Sequence, residues 1–168
     1  MVTEIHSFAP IIDQGAKQLI LGTMPGKPSL QAEEYYANPR NAFWPIMEAL
    51  FAIDRGLPYC QRLQALKQQQ IAVWDVLKSC QRKSSLDADI IGDSIIVNDF
   101  TSLFNHYRQI ETVYFNGQKA EQYFSKMVIG KAKLSIGAIK LIRLPSTSPA
   151  HAAMSLADKT AAWSVLVR

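Results

Sequence analysis

Lys17-Gln18-Leu19-Ile20-Leu21 runs directly into Gly22-Thr23-Met24-Pro25-Gly26, a junction from which the fold class follows. A short, near-continuously apolar run closed by glycine and proline reads as a strand covered on both faces, the kind that builds parallel sheets. The signature recurs along the chain. Ile71–Val76 (IAVWDV) is followed by KSCQRKSS, Thr112–Phe115 (TVYF) by NGQ, and Ile139–Leu144 (IKLIRL) by PSTSP. Each apolar run is predicted to be a strand and each polar segment the loop at its carboxyl end.

Helical patterns lie between these strands. Phe43, Ile46, Met47 and Leu50 recur at helical spacing after Asn41, a capping residue type. Leu63 and Leu66 carry a weaker signal. Phe100, Leu103, Phe104 and Tyr107 repeat the pattern after Asn98–Asp99, and Ala120, Tyr123, Phe124 and Met127 do so again, with Gly130 as the expected stop. A last helix is expected from Ser155, capped with the help of Asp158, with Trp163 and Leu166 facing the core. Strands alternating with helices predict an α/β domain with a mainly parallel sheet. Sites in such folds gather outside the carboxyl ends of the strands, where all four polar segments lie.

Composition narrows the class. At 168 residues, 48% hydrophobic and 19% charged, the chain reads as one globular domain over residues 1–168. No apolar run approaches the roughly 20 residues of a membrane span. The opening MVTEIHSFAP lacks a basic region followed by an apolar core, so a cytoplasmic protein is expected, with Cys60 and Cys80 reduced. Two cysteines and three histidines without ligand spacing argue against a structural metal site. The net charge of +4 permits a nucleic-acid partner without establishing one.

The strand-end segments carry the chemistry. Gly22–Gly26 is neither a phosphate loop nor a dinucleotide fingerprint; it is a rigid turn whose amides can hold a ligand oxygen or a water. Tyr35–Trp44 (YYANPRNAFW) packs four aromatics, two Asn and one Arg into ten residues. Such a mixture can stack a base and hold a phosphate, although Phe43 and Trp44 also suit a core and Asn41 a helix cap. Asp75 ends the second predicted strand, where it can act on water or shape a turn. Asn116, with one acceptor and two donors, can read a base edge, but Asn-Gly is also a common turn pair. Ser146, Thr147, Ser148, Pro149 and His151 belong to a stiff polar loop able to grip phosphates or lie in solvent. There is no GxSxG elbow and no HExxH pair.

Together these segments resemble the uracil-DNA glycosylase superfamily, and most of all its hypoxanthine-DNA glycosylase branch. The residues that carry the resemblance are LILGTMPGKPSL, YYANPRNAFW, IAVWDV followed by CQRKSSLD, NDF, FNGQKA and LPSTSPAHA, in family order from about Leu19 to Trp163. The resemblance implies a three-layer α/β/α sandwich around a four-stranded parallel sheet. It also implies a monofunctional glycosylase that uses no metal or other cofactor and takes DNA bearing a deaminated base. The first family motif would be Gly22–Gly26 and the second Ser146–Ala150. Many superfamily members carry Asp, Glu or Asn at the position of Met24 to handle the attacking water. A thioether cannot take that proton, and the hypoxanthine branch is similar in placing an Asn at the position of Asn41.

On that reading Asn41 positions water with the main chain of Thr23 and Met24, and Asp75 is the second candidate. Gly22, Pro25, Gly26, Tyr36, Phe43 and Asn116 would enclose the flipped base. Arg40, Ser146, Thr147, Ser148, Pro149 and His151 would meet DNA, with the Ser146–Ala150 loop helping to fill the vacated space. A monomer is expected, with no membrane partner. Other readings stay open: a uracil-type glycosylase, a lesion-binding protein without catalysis, and a hydrolase of free nucleosides.

Overall fold

A computed structural model of the chain describes residues 2–167. All four predicted strands form, and they share one parallel sheet. They are β2 (Gln18–Gly22), β3 (Ile71–Asp75), β6 (Thr112–Asn116) and β7 (Lys140–Leu144), in the order β3-β2-β6-β7. Leu21 sits level with Trp74 and Phe115, and Ile20 with Val73 and Tyr114. Because side chains alternate along a strand, these two rows face opposite sides of the sheet.

Each face has its own helical cover. Trp74 meets Phe100 of α4 (Phe100–His106), ring centroids 5.2 Å apart, and Phe115 meets Phe124 at the same separation. Phe124 follows α5 (Gln118–Tyr123). On the opposite face the Tyr114 hydroxyl donates to the Val165 carbonyl, just beyond α6 (Leu156–Trp163). Here α6 packs on α2 (Phe43–Phe51), with Trp163 edge-on to Phe43. The expected three layers follow. Two expected caps form: Asp99 accepts from Ser102 N and Ser155 from Asp158 N.

Three features depart from expectation. A short helix, α1 (Lys27–Ala32), starts straight after Gly26, with Pro28 in its first turn, where a missing N–H costs nothing. Gly130 does not stop its helix: the chain widens into a π-helical segment, Phe124–Lys131, that runs through it. The KSCQR stretch, expected as a loop, is strand. It lies in β4 (Leu77–Arg82), the centre of an antiparallel sheet with β1 (Thr3–His6) and β5 (Ile96–Val97). Leu77, Ser79, Cys80 and Arg82 are buried and Lys78 and Gln81 exposed, a pattern whose polar residues hide its strand character. The remaining helix, α3 (Tyr59–Gln68), covers β3.

The step from β3 to β4 shapes the site. Val76 N donates to Gly22 O (2.8 Å) and Leu77 N to Thr23 O (3.2 Å). The chain therefore crosses the end of β2 while held against the backbone of the first polar turn.

Candidate active site

A cavity of about 670 Å³ opens at the carboxyl ends of β2, β3 and β6, with the loop after β7 in its wall. Its floor is Gly22–Gly26. The carbonyls of this turn are engaged from behind: Gly22 and Thr23 by the β3–β4 step, Pro25 by Arg82 Nη2 (2.5 Å), and Gly26 by Leu30 N (3.0 Å). The N–H groups of Thr23 and Met24 close no hydrogen bond among the described residues, and both residues line the cavity. Unengaged amides at a cavity wall suit a ligand oxygen or a water. Met24 itself is buried and packs into the core.

Asp75 lies under this floor. Its side chain is buried, with Oδ2 accepting from Ser7 Oγ at 2.8 Å. A Cβ on Gly22 would sit 2.6 Å from Asp75 Oδ1 and 3.2 Å from the Tyr36 hydroxyl, so only glycine admits the carboxyl so close to the turn. Desolvation pushes the Asp75 pKa up to about 7; the Ser7 hydrogen bond and Arg82 pull it down, and Asp87 adds to the rise. A carboxyl that exchanges its proton near neutrality thus stands at the cavity wall.

Tyr36 forms an aromatic wall and holds a left-handed backbone, φ +58°, which a bulky residue adopts only when its surroundings impose it. Those surroundings are explicit. Tyr35 N donates to the Tyr59 hydroxyl (2.9 Å), Trp44 Nε1 to Tyr35 O (3.1 Å), and Ala37 N to Ser29 Oγ (3.1 Å). The Tyr36 ring stacks on Phe43, centroids 4.1 Å apart and planes 20° off parallel. Its hydroxyl is buried without a hydrogen-bond partner among the described residues. Burial and the neighbouring Asp75 hold that hydroxyl well above the usual phenol range. Phe43 is fully buried behind Tyr36 and does not line the cavity, so its contact is with Tyr36 and not with an occupant.

Asn41 also lines the cavity. Its Oδ1 accepts from Phe43 N at 2.9 Å, which fixes the amide's orientation and leaves its NH₂ donors available. The cap of α2 is Ala42, not Asn41 as expected; Asn41 stands one residue earlier and engages the first helical N–H from there. The adjacent Ala42 N donates to Thr147 O (2.9 Å), tying this segment to the loop after β7.

That loop is also fastened to β6. Asn116 Nδ2 donates to Thr147 Oγ1 and Thr147 N to Asn116 Oδ1, both at 2.9 Å. Asn116 has one further N–H, near the Tyr36 hydroxyl, and one further lone pair. Thr147 is 1% exposed, so its hydroxyl serves this bracket instead of a DNA surface. Gly117, at φ +97°, lets the loop approach; a Cβ there would lie 3.0 Å from that of Ser146. Ser146, Ser148, Pro149 and His151 remain on the cavity wall, and Arg40 and Lys119 add exposed cations.

A model of the Uracil DNA glycosylase superfamily matches residues 9–167. The chain belongs to that superfamily. Two curated relatives, each named hypoxanthine DNA glycosylase and coming from Methanosarcina barkeri and Methanosarcina acetivorans, are 36% identical over 119 residues. The matched region spans 70% of this chain and 74% of each relative. The solution NMR structure of a candidate uracil DNA glycosylase from Methanosarcina acetivorans superposes with a TM-score of 0.78 at 27% identity, covering 99% of this chain and all of that one.

Against this uracil-DNA glycosylase fold, every residue singled out from the sequence lines the cavity except Phe43. Sequence reasoning missed Asp87, Leu86, Lys119 and Ser7. Burial raises the Asp87 carboxyl, while the Thr23 hydroxyl, Arg82 and Lys119 counter that rise. The CQRKSSLD stretch marked the neighbourhood of Asp87, but only the antiparallel sheet brings it beside Thr23. Ser7 gave no signal at all, because its partner is 68 residues away. Among the described residues no helix is long and apolar enough to cross a membrane.

Proposed function

We propose that this superfamily member is a monofunctional DNA glycosylase that hydrolyses the N-glycosidic bond of a flipped-out deaminated base, hypoxanthine first. The observation that supports this most is one cavity that joins an aromatic wall, unengaged main-chain amides, an oriented asparagine and a near-neutral carboxyl. The relatives named hypoxanthine DNA glycosylase support the choice of base. One chain supplies every wall, so the working unit we propose is a monomer, acting on cytoplasmic DNA.

The target atom is unreachable inside a duplex, so the nucleotide must leave the stack. Arg40, Lys119 and His151 at the mouth meet phosphates without regard to sequence. The base stacks on Tyr36, which Phe43 backs. The further N–H and lone pair of Asn116 meet the base edge. Bond breaking puts positive charge on the sugar and negative charge on the base. Donors aimed at the base stabilise the second charge, each by a few kcal/mol in a preorganised site. The Asn41 NH₂ and the Thr23 and Met24 amides hold the water. The Asp75 carboxylate offers charge opposite the cationic sugar and an acceptor for a proton of that water.

The test is strand cleavage after alkali on oligonucleotides carrying one deoxyinosine, deoxyuridine or deoxyxanthosine, single- and double-stranded, with EDTA present. Cleavage at deoxyinosine is expected. Cleavage at deoxyuridine alone would move the substrate to uracil. Tight lesion binding with no cleavage at any base would replace the enzyme with a lesion reader.

A further inference from the structure

We propose that the Tyr36 hydroxyl is a positioning donor for Asp75, turning its proton onto Oδ1 when that carboxyl ionises. The inference rests on the glycosylase reading above and deepens it, because it gives Tyr36 a second task beside stacking the base. Tyr35, Tyr36 and Tyr59 lie within electrostatic reach of one another. Two of the three hydroxyls are engaged: Tyr35 donates to the Phe8 and Ala9 carbonyls (3.3 Å each), and Tyr59 accepts from Tyr35 N. The Tyr36 hydroxyl is buried with no hydrogen-bond partner among the described residues. A buried polar group left so costs free energy and calls for an explanation. The ring has no freedom to swing toward another partner. Its backbone is held left-handed at φ +58°, and it stacks on Phe43 at 4.1 Å.

The geometry names the acceptor. The Tyr36 hydroxyl and Asp75 Oδ1 crowd one point beside Gly22, 3.2 and 2.6 Å from where a Cβ would stand. Oδ2 is taken by Ser7 (2.8 Å), while Oδ1 accepts no hydrogen bond among the described residues. Asn116 brings an N–H to the phenol, which can meet its oxygen and cannot take its proton. An ionised carboxyl is a stronger acceptor than a neutral one, so the contact tightens as the charge forms. The other groups facing Asp75 are Arg82, which favours its charged form, and Asp87, which opposes it. Tyr35 and Tyr59 also face it, and burial holds both phenols above their usual range, so they add no charge. Removing one oxygen atom from Tyr36 leaves all of these in place.

The experiment follows Asp75 itself. The carbon-13 shift of its carboxyl is titrated by NMR from pH 5 to 10 in wild type, Tyr36→Phe and Ser7→Ala. Tyr36→Phe keeps the ring and removes only the donor. The midpoint, near 7 in wild type, should rise by about one pH unit or more, because a carboxylate that loses a donor holds its proton more tightly. Ser7→Ala removes the donor to the other oxygen and sets the scale of the effect. Single-turnover cleavage of deoxyinosine over the same range should show its rise displaced by the same amount. An unmoved or lowered midpoint in Tyr36→Phe, beside a raised one in Ser7→Ala, overturns the role. So does a fall in rate by one factor at every pH with the midpoint in place, which would make the hydroxyl a contact of the substrate. If the wild type cleaves no base, the glycosylase reading falls, and the carboxyl titration still decides Tyr36.

Discussion

Asp75→Asn tests the electrostatics of the site. In the folded chain the Asp75 carboxyl titrates at about 7, against an ordinary value of 3.8. The folded state therefore binds this proton more tightly than the unfolded chain does. A carboxyl raised in this way leaves stability intact at low pH, lowers it as pH climbs from about 4 to about 7, and imposes a constant penalty above that. At about 1.36 kcal/mol per unit, the penalty above neutrality is about 4 kcal/mol. Asparagine preserves the acceptor for Ser7 and carries no charge at any pH. The stability difference between Asp75→Asn and wild type should therefore grow in favour of the variant by about 4 kcal/mol between pH 4 and pH 8. Urea unfolding of both proteins across that range measures it, and other titrating groups cancel in the comparison. Parallel pH profiles would show that the carboxyl is not perturbed. Cleavage supplies the functional half: wild-type single-turnover rates should rise through pH 7 as the carboxylate forms, and Asp75→Asn should lose that rise. Full activity of the variant from pH 5 to 9 would make Asp75 purely structural.

Asn41→Ala should slow single-turnover cleavage by well over about tenfold while DNA binding stays nearly intact, since it removes the water donors and no phosphate contact; near-normal rates would sink the assignment. Asn116→Ala should destabilise the fold by about 1–3 kcal/mol, because the Thr147 hydroxyl and amide are left without partners, and the loosened loop should weaken DNA binding. A binding isotherm and a urea curve read the two effects. Gly22→Ala should abolish cleavage, since the new methyl would lie 2.6 Å from Asp75 Oδ1 and displace the carboxyl. Wild-type cleavage by that variant would mean the carboxyl has no part in the reaction.

The parallel sheet was legible because β2 and β3 are buried at every position and β6 at all but its last, so they read as near-unbroken apolar runs; the edge strand β7 is buried only at Leu144 and was legible from its apolar residues and the Pro that follows. The antiparallel sheet was not legible. In β4 the buried positions include Ser79 and Arg82, whose polarity masks the alternation, and no turn residue separates β3 from β4. The pairing of β1 with β4 spans some 75 residues of chain and leaves no local trace. The site divides along the same line. Residues in strand-end loops were found because turn chemistry flags them, and Asn41 was found through the family resemblance. Ser7 and Asp87 act through partners distant in sequence. Phe43 was assigned to the base because an aromatic in a polar stretch looks available; the stack with Tyr36 puts it one layer too deep.

Met24 is the departure that the structure best accounts for. Where the resemblance calls for a polar group in the first turn, this chain has a thioether packed into the core. The compensating chemistry we propose lies immediately beneath. Asp75 reaches the same turn from the neighbouring strand, so close to Gly22 that no side chain fits between them. Asn41 brings donors to the same cavity, its amide oriented by the first N–H of α2. On the proposed mechanism, charge and donor, which a single polar residue in the turn would combine, are divided between two elements. Burial raises the carboxyl's proton affinity. If that division is the mechanism, Asn41→Ala and Asp75→Asn should have different pH signatures: the first lowers the rate at every pH, the second removes the rise through neutrality. Identical profiles for the two variants would show that one of the residues acts only through the other.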